Sequence, residues 1–185
     1  MSEQLLKSKY YMDFSHLFKY CPQCGSETFV KNNEKSKRCE NCDFVFYMNA
    51  SAAVAAFIQN ENNDLLVCIR AKEPAKGTWD LAGGFVDANE TAEEAMKREI
   101  NEELKVEALE TKYLFSLPNE YEYSGLTIPT LDMFFACKLT QYKHLIPSDD
   151  VESYFFIPLN EINPENFGLK SIKKAVQFFI NQKQD

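Results

Sequence analysis

Three glutamates, Glu99, Glu102 and Glu103, have the residue type and the spacing to bind a divalent cation. They stand at i, i+3 and i+4 of a segment with helical periodicity, where side chains are neighbours about 5–6 Å apart. Like charges at that distance repel one another, and an unpaired buried carboxylate costs several kcal/mol. Mg²⁺ removes both penalties, because it binds carboxylate oxygens and keeps positions open for water and phosphate. The glutamates therefore predict a magnesium site.

The helix that must position these glutamates is predicted to run from residue 92 to about residue 104. Thr91 and Glu94 predict a capping box at its start, in which each side chain accepts a hydrogen bond from the other residue's backbone N–H. At about 100° per residue, one helix face is apolar, with the residues Ala92, Ala95, Met96, Ile100 and Leu104.

Glu103 is predicted near the middle of this apolar face, Glu99 within it and Glu102 at its edge. A run of glutamates on a helix is usually a solvated face. Because these glutamates share the apolar face instead, their positions favour the metal site over an exposed ion-pair network.

The segment around the glutamates resembles the Nudix box. It contains Gly84, five residues, Glu90, seven residues, and then REINEELKV from Arg98 to Val106. The preceding GTWDLAGGFV, from Gly77 to Val86, also resembles the family. The family usually has glycine where this chain has Lys105. A non-glycine residue in that left-handed position costs about 1 kcal/mol or bends the helix end differently, and the metal-binding positions are intact.

The resemblance covers roughly residues 45–180. It implies an α/β/α sandwich with a mixed sheet and hydrolysis of a nucleoside diphosphate linked to another group, with Mg²⁺ or Mn²⁺ and an attacking water. It also implies that the three glutamates are the metal ligands. Arg98 would orient one of their carboxylates through a bidentate pair, and Glu90 would stabilise the loop–helix geometry or an outer metal shell.

The resemblance leaves the general base open between a box glutamate and an acidic residue on a later loop. The candidates are Glu102, Glu103, Glu120, Glu122 and Glu152.

Further residues are predicted to contact the substrate. Arg70 and Lys72 precede the loop that leads to the glutamate helix, and they could hold a phosphate or a ribose. Within this loop, Gly83 and Gly84 would let the backbone approach the metal and the phosphates closely. Tyr121 and Tyr123 offer rings on which a base could stack. The alternative is that both tyrosines only pack a hairpin.

Four cysteines upstream have the spacing of zinc ligands. Cys21 and Cys24 form one CxxC pair, Cys39 and Cys42 form a second, and fourteen residues separate the pairs. This spacing is typical of a tetrahedral structural zinc site. Zinc would supply the folding energy, because few apolar residues lie here. A disulfide pair or a redox CxxC is the alternative.

The residues between the two cysteine pairs predict a short hairpin with a basic cluster. The cluster contains Lys31, Lys35, Lys37 and Arg38. A solvated hairpin is the default interpretation, and nucleic-acid contact is the alternative.

A zinc ribbon directly ahead of a Nudix domain resembles the arrangement in NADH pyrophosphatases. Those enzymes carry a downstream Ser-Gln-Pro-Trp-Pro-Phe-Pro-x-Ser motif, of which this chain keeps only the Ser-x-Pro start, Ser116-Leu117-Pro118. The implied substrate is a dinucleotide or conjugate such as NADH or ADP-ribose, cleaved to release a nucleoside monophosphate. Two alternatives remain: a house-cleaning nucleoside triphosphate pyrophosphohydrolase, and a ligand-sensing regulator or nucleic-acid-binding zinc-ribbon protein.

Composition limits the remaining possibilities. The 185 residues suit one catalytic domain with a small appendage, and 45% hydrophobic residues suit a globular core. A net charge of −8 makes nucleic-acid binding unlikely. The sequence contains no apolar run long enough for a membrane span and no signal-peptide core at its start, and four cysteines have metal spacing. We therefore expect a cytoplasmic protein with a nucleotide-type substrate, and a homodimer by analogy only.

The predicted organisation is a lead-in segment (1–20), a zinc ribbon (21–43) and a Nudix domain (44–185). Within the Nudix domain, the pattern predicts four further features. These are a hairpin over 50–70, strands at 113–117 and 130–139 flanking a substrate loop at 118–126, a strand at 151–158, and a helix from an N-cap at Ser171 to about Ile180.

Overall fold

The described part of this computed structural model, residues 17–184, begins with a small antiparallel sheet. Its strands, in the spatial order β1-β2-β3, are β1 (Phe29–Asn33), β2 (Ser36–Cys39) and β3 (Val45–Tyr47). Phe29 packs with buried Cys21 and Cys39, and the cluster is completed by the partly buried Phe44 and Phe46. The predicted hairpin is confirmed. Of the predicted lead-in segment, residues 1–16 lie outside the described residues.

The chain divides into two units. The first contains the described residues up to Ala50 together with Glu122–Ile128, and the second contains Ser51–Tyr121 and the described residues from Pro129 onward. The domain boundaries predicted from the sequence stay a prediction. No helix within residues 17–184 has the length and apolar character needed to cross a membrane.

Two sheets and two α-helices form the rest of the structure. Their bounds are β4 (Ser51–Ile58), β5 (Leu65–Arg70), β6 (Trp79–Asp80), β7 (Gly83–Phe85), α1 (Ala92–Leu104), β8 (Ala108–Tyr123), β9 (Leu126–Leu139), β10 (Val151–Ile157) and α2 (Lys170–Gln184). One sheet has the order β7-β4-β9-β8 and is mixed, because β4 pairs with β9 in parallel and with β7 antiparallel. The other sheet, β10-β5-β6, is antiparallel.

The two helices cover opposite faces of these sheets. Alternate residues of β4 contact different helices, as expected for a strand with side-chain period two. Val54, Ala56 and Ile58 belong to the core that contains the apolar face of α1, whereas Ala55 and Phe57 belong to the core that contains α2. The predicted α/β/α sandwich with a mixed sheet is therefore confirmed.

The predicted hairpin over residues 50–70 is confirmed at its turn and wrong for its strands. Gln59 and Leu65 form an antiparallel bridge and the Asn60 N–H donates to the carbonyl of Asp64, but β4 and β5 then lie in different sheets. The turn chemistry of Asn60–Asp64 is real, since Asn60 Oδ1 accepts from the backbone of Asn62 and Asp64. However, β4 takes β9 as its parallel neighbour and β7 as its antiparallel neighbour, whereas β5 pairs with β10 and β6.

The predicted loop conformation at 118–126 is also wrong, whereas the substrate contact predicted for this segment stays a prediction. Strand β8 continues to Tyr123 and β9 begins at Leu126, so the connection is only Ser124-Gly125. Both residues have positive φ, 51° and 74°, which matches the turn that best joins two twisted strands. Pro118 is tolerated because β8 is an edge strand of its sheet.

The predicted N-cap of the last helix is wrong by two residues. The Lys173 N–H already donates to the carbonyl of Leu169, so α2 begins at Lys170 and Ser171 lies inside its first turn. Ser171 is buried, and its Oγ has no hydrogen-bond partner. The helix also continues past Ile180 to Gln184.

Candidate functional site

Helix α1 begins as its sequence predicts. The Thr91 Oγ1 accepts from the Glu94 N–H at 3.2 Å, and the Glu94 carboxylate accepts from the Thr91 N–H at 2.7 Å, which completes the capping box. Glu99 and Glu103 are 9% and 4% exposed, whereas Glu102 is only partly buried. The predicted order of burial on the helix is therefore present, with Glu103 deepest and Glu102 at the edge.

Arg98 binds three carboxylates at once. Its Nε and Nη2 donate to the two carboxylate oxygens of Glu90 at 3.1 and 2.6 Å. Its Nη1 donates to Glu99 at 2.7 Å and to Glu102 at 3.0 Å, and its Nη2 also donates to the carbonyl of Phe85 at 2.9 Å. The hydrogen bonds from Arg98 lower the pKa of Glu90 below its ordinary value. One planar guanidinium thus fixes the loop before the helix and two of the box glutamates.

Glu103 is fixed from the other side, by the loop that precedes α1. The Gly83 N–H donates to its Oε2 at 2.9 Å. Burial raises the pKa of Glu103 well above its ordinary value, against the effect of this hydrogen bond, and the charges of Asp80, Glu99 and Asp150 raise it further. Burial also raises the pKa of Glu99. Burial is therefore the largest effect on both carboxylates, even though Arg98 contacts Glu99 and the Gly83 N–H contacts Glu103.

The two glycines of this loop are required by close approaches. A Cβ on Gly83 would lie 2.1 Å from the carbonyl oxygen of Val54, and a Cβ on Gly84 would lie 2.5 Å from a carboxylate oxygen of Glu99. The first approach positions the loop against β4, and the second lets the Glu99 carboxylate lie directly against the backbone of Gly84. A methyl group on Gly84 would overlap that carboxylate and displace it.

The C-terminal end of α1 is held by the segment that precedes β10. Lys105 takes the left-handed conformation with φ 52°, and its N–H donates to the carbonyl of Asn101. The carbonyls of Leu104 and Glu103 accept from the N–H groups of Ile146 and Ser148 at 3.0 and 2.9 Å. These bonds satisfy carbonyls that have no partner within the helix. They also place residues 146–150 beside the glutamates.

Sequence analysis missed two acidic residues of this segment, Asp149 and Asp150. They contribute to the raised pKa values of Glu99 and Glu103, respectively. Lys72 bridges them, with its Nζ 2.7 Å from Asp149 and 2.6 Å from Asp150. In the sequence, the only sign of these residues was a pair of adjacent aspartates just before a predicted strand. Only the pairing of β10 with β5 brings that pair next to Lys72.

Arg70 is placed differently from Lys72. Its Nη1 pairs with Asp80, its Nε donates to the carbonyl of Pro74 at 2.7 Å, and both side chains of the ion pair are buried. Burial raises the pKa of Asp80, against the opposing charge of Arg70. In this structure the Arg70 guanidinium anchors β6, the strand just before the loop that contains Gly83 and Gly84. The predicted contact of Arg70 with a phosphate stays a prediction.

The predicted stacking residues lie on the long β8–β9 hairpin. The Tyr121 ring packs edge-on against Phe85, with ring centroids 5.4 Å apart. Tyr123 belongs to the first unit and is exposed. Phe85, which directly follows the two glycines and is 40% exposed, was not singled out by sequence analysis.

The three later glutamates proposed as bases have other surroundings. Glu120 lies 3.9 Å from Lys170, and Glu152 is exposed. Glu122, in the first unit, accepts a hydrogen bond from Thr127 at 2.7 Å. The assignment of the general base to these residues or to Glu102 or Glu103 stays a prediction.

The donor set on α1 fits a hard divalent cation. Buried and half-buried carboxylates lie against a glycine loop, further aspartates lie close by, and Arg98 contacts two of the box glutamates. Carboxylate oxygens are the ligands that Mg²⁺ and Mn²⁺ prefer. Glu99, Glu102 and Glu103 are the residues that would hold such an ion.

The four predicted zinc ligands lie together. The Sγ atoms of Cys21, Cys24, Cys39 and Cys42 are all within 4.8 Å of one another. Two of the separations are 3.7 Å (Cys21 to Cys42) and 3.6 Å (Cys24 to Cys39). A tetrahedron with zinc–sulfur bonds of about 2.3 Å has edges of about 3.8 Å. The thiols therefore fit zinc, and all six cysteines are free of disulfides.

Each cysteine pair sits on the same kind of backbone turn. The Gly25 N–H donates to the carbonyl of Cys21 at 2.8 Å, and the Asp43 N–H donates to that of Cys39 at 3.0 Å. Gly25 and Asp43 both have positive φ, 72° and 60°. Hydrogen bonds from the backbone of Ser26 and the side chain of Asn41 lower the pKa of Cys24 to about 6, which favours the thiolate that zinc requires.

The basic cluster on the ribbon is largely engaged within the ribbon. Lys31 pairs with Glu34 and Arg38 with Asp43. Lys37 is buried, and its Nζ donates to the carbonyl of Phe18. These contacts favour the solvated hairpin over a nucleic-acid surface.

Two family sequence models match this chain. One, described as the NUDIX domain, matches residues 49–176. The other, described as the NADH pyrophosphatase zinc ribbon domain, matches residues 16–47. Together they cover the glutamate helix and the cysteine site.

Among known proteins, the chain is 29% identical over 116 residues to the NAD-capped RNA hydrolase NudC of Vibrio parahaemolyticus, covering 62% of this chain and 43% of that protein. It is 28% identical over 127 residues to the chloroplastic Nudix hydrolase 19 of Arabidopsis thaliana, covering 68% and 29%. The chain thus spans less than half the length of these curated relatives.

Solved structures share the fold. A Nudix hydrolase from Nitrosomonas europaea superposes with a TM-score of 0.73 at 24% identity, covering 90% of this chain and 92% of that one. A bifunctional NMN adenylyltransferase/ADP ribose pyrophosphatase from Francisella tularensis gives 0.55 at 20% identity, covering 76% and 42%. At these identities the likeness supports the fold alone.

Proposed function

This chain belongs to the Nudix family, and on that premise we propose that it is a divalent-metal-dependent hydrolase of phosphoric anhydride bonds. Its substrate is a nucleoside diphosphate linked to another group, and the cleavage releases a nucleoside monophosphate. The ribbon holds one structural zinc ion.

One observation carries the proposal: Glu99 and Glu103 are ionisable groups on the buried face of α1, and their pKa values are raised mainly by burial. Glutamates that only solvate a helix lie on its exposed face, because a buried carboxylate is unfavourable without a compensating charge. The Glu99 carboxylate also lies directly against the backbone of Gly84, where a methyl group would displace it. A regulator that only senses a ligand would have no need to keep every carboxylate of the box.

The roles of the surrounding residues follow from their contacts. A divalent cation, when bound, would neutralise charge on the diphosphate and lower the pKa of a bound water. Arg98 keeps Glu99 and Glu102 in place through charged hydrogen bonds, and the Gly83 N–H does the same for Glu103. The close packing of Gly83 on β4 keeps the loop at a fixed distance from the helix. Binding geometry is thus prepared before the substrate arrives.

A dinucleotide or a related conjugate is the proposed substrate class. The order of ribbon and Nudix domain supports it, because the ribbon matches the family model named for NADH pyrophosphatases. Several similar proteins are NAD-capped RNA hydrolases. Phe85 and Tyr121 present rings next to the glycine loop, and stacking of a base on such a ring contributes about 1–3 kcal/mol.

The free dinucleotide is favoured over a long nucleic acid. The net charge of −8 opposes a polyanion. Three of the four basic side chains of the ribbon cluster are engaged, because Lys31 pairs with Glu34, Arg38 pairs with Asp43 and Lys37 is buried, so the cluster adds little positive surface.

A substrate panel tests this proposal. We expect kcat/KM for NADH or ADP-ribose to exceed that for every nucleoside triphosphate at equal Mg²⁺, with products separated by chromatography. An NAD-capped oligoribonucleotide in the same panel tests the long-substrate option. A triphosphate preferred by more than about tenfold, roughly 1.4 kcal/mol in transition-state binding, would overturn the substrate class. Hydrolysis that persists without any divalent cation would overturn the reaction type.

A further inference from the structure

Lys72 is bound by two carboxylates on a neighbouring segment. Its Nζ lies 2.7 Å from Asp149 and 2.6 Å from Asp150, so a single ammonium bridges both side chains. The side chains are 57%, 53% and 45% exposed, respectively. Exposed ion pairs are worth at most about 1 kcal/mol. This bridge is therefore weak enough to exchange, unlike the buried pair of Arg70 and Asp80.

The backbone fixes the two aspartates beside the glutamate helix even when Lys72 moves. The Ala71 N–H donates to the carbonyl of Asp150 at 2.8 Å, and the Ser148 N–H donates to the carbonyl of Glu103 at 2.9 Å. Asp149 has a φ of 54°, which shows that the tight turn is kept despite its conformational cost. Loss of the Lys72 side chain would thus leave both carboxylates near the box.

The charge balance explains why a cation is needed at this position. Asp149 and Asp150 directly follow Ser148, whose N–H donates to the carbonyl of Glu103, so their negative charges lie on a segment that is bonded to the glutamate helix. Arg98 contacts Glu99 and Glu102 but is not among the contacts of the two aspartates. Lys72 therefore supplies the positive charge on the side of the site that Arg98 does not reach.

We propose that Lys72 is an internal counter-ion of the divalent-metal site: it occupies Asp149 and Asp150 and so competes with the cation for this part of the acidic site. The inference rests on the proposed function, since it concerns the metal that the box would hold. It assigns Lys72 the role of setting metal affinity, and it assigns the two aspartates to the electrostatic surroundings of the cation.

Metal titration without substrate tests this role. Binding of Mn²⁺ to the zinc-loaded protein is followed by the electron paramagnetic resonance signal of free Mn²⁺, and the box site is the one that Glu103→Gln weakens. We expect Lys72→Met to bind Mn²⁺ about fivefold tighter or more, because Asp149 and Asp150 lose the ammonium that lies within 2.7 Å of both and are left free to attract the cation. Damage to the fold would weaken binding, so a gain in affinity is specific to the proposed role.

Two further variants make the test selective. Lys76→Met removes an exposed lysine of the same loop and is expected to leave the Kd within about twofold, as a remote surface charge is screened. Lys72→Met combined with Asp149→Asn and Asp150→Asn should lose the gain, because asparagine tolerates the positive φ of residue 149 but carries no charge.

The outcomes separate the two proposals. An unchanged or weaker Kd in Lys72→Met, or an equal gain in Lys76→Met, would overturn the counter-ion role while the proposed function stands. Absence of any Mn²⁺ site sensitive to Glu103→Gln in the otherwise unchanged protein would overturn both.

Discussion

The four cysteine sulfurs of the ribbon lie within 4.8 Å of one another, and within residues 17–184 they are the only such group of three or more Cys, His, Asp or Glu ligand atoms. The glutamates of α1 are instead engaged one by one. Glu99 and Glu102 accept from Arg98, and Glu103 accepts from the backbone of Gly83. The four ribbon ligands therefore contact one another, whereas each glutamate of α1 is hydrogen-bonded to Arg98 or to the backbone of Gly83.

The difference follows from what each site must do. A structural zinc site uses all four ligands and supplies folding energy to a module with a core of few apolar side chains. A catalytic cation must keep open positions and exchange its contacts during the reaction. Carboxylates held by one arginine and one N–H can be released at moderate cost. The same comparison predicts which substitutions should unfold a module and which should only slow the reaction.

The largest effect is expected from Cys24→Ser in the ribbon. Structural zinc sites contribute on the order of 10–16 kcal/mol to the folding of small modules. Loss of one thiolate should therefore release the zinc and unfold the ribbon, with activity reduced mainly through instability. Elemental analysis of the purified chain measures the change, from one zinc per chain to well below one.

Cys137→Ala is the matched control for the ribbon. Cys137 is a buried cysteine on the α1 side of the sheet, so its replacement removes a thiol outside the zinc site. It should retain the full zinc content. Full zinc content in Cys24→Ser would contradict the assignment of Cys24 as a ligand. It would also contradict the view that the ribbon, unlike α1, needs all of its metal ligands in order to fold.

A smaller effect on folding but a large one on rate is expected from Glu103→Gln. Glutamine keeps an oxygen that can accept from the Gly83 N–H and removes a buried charge, so the fold should be as stable as before. We expect kcat to fall by about 100-fold or more at saturating Mg²⁺, because a metal ligand is lost. Steady-state kinetics and thermal unfolding on the same preparation separate the two effects.

Glu93→Gln is the control for Glu103→Gln, since Glu93 is an exposed glutamate in the first turn of the same helix. Its kcat should stay within about twofold, because exposed helix charges contribute only tenths of a kcal/mol. An unchanged kcat in Glu103→Gln would contradict the assignment of the metal site to α1.

The parts of the site that lie on one helix could be predicted from the sequence. The capping box of Thr91 and Glu94 and the burial of Glu99 and Glu103 depend on local geometry, in which position along the chain fixes position around the helix. The cysteine site was also predictable, because each CxxC pair is a local turn and four thiols have few other uses at that spacing.

The remaining parts depend on which strands become neighbours, and no local pattern contains that information. Asp149 and Asp150 join the site only because β10 pairs with β5. Strand β4 resembles half of a hairpin with β5, yet its neighbours in the sheet are β7 and β9, which are distant in sequence from that turn. The dipeptide Ser124-Gly125 is a local signal that could have predicted the tight β8–β9 turn. Such turns need two residues with positive φ, and glycine adopts this conformation readily.

The smallest predicted effect concerns a pair of positive-φ positions, one chosen from each region. In the ribbon, Gly25 takes φ 72°, and at the end of α1 Lys105 takes φ 52°. A side chain in this conformation is unfavourable, and glycine removes the penalty. The α1 end keeps its lysine, which suggests that the bonds from Ile146 and Ser148 hold the helix end without help from glycine.

Lys105→Gly should therefore raise the free energy of unfolding by about 0.5–1 kcal/mol, less the few tenths that a lysine contributes at a helix C-terminus. Urea unfolding at constant m-value measures it, and kcat should not change. Lys97→Gly, at an exposed position inside the same helix, should instead lower stability by about 1 kcal/mol, because glycine disfavours a helix interior. Equal destabilisation by both substitutions would show that the left-handed cap at Lys105 carries no strain, and that this helix end is fixed entirely by the segment before β10.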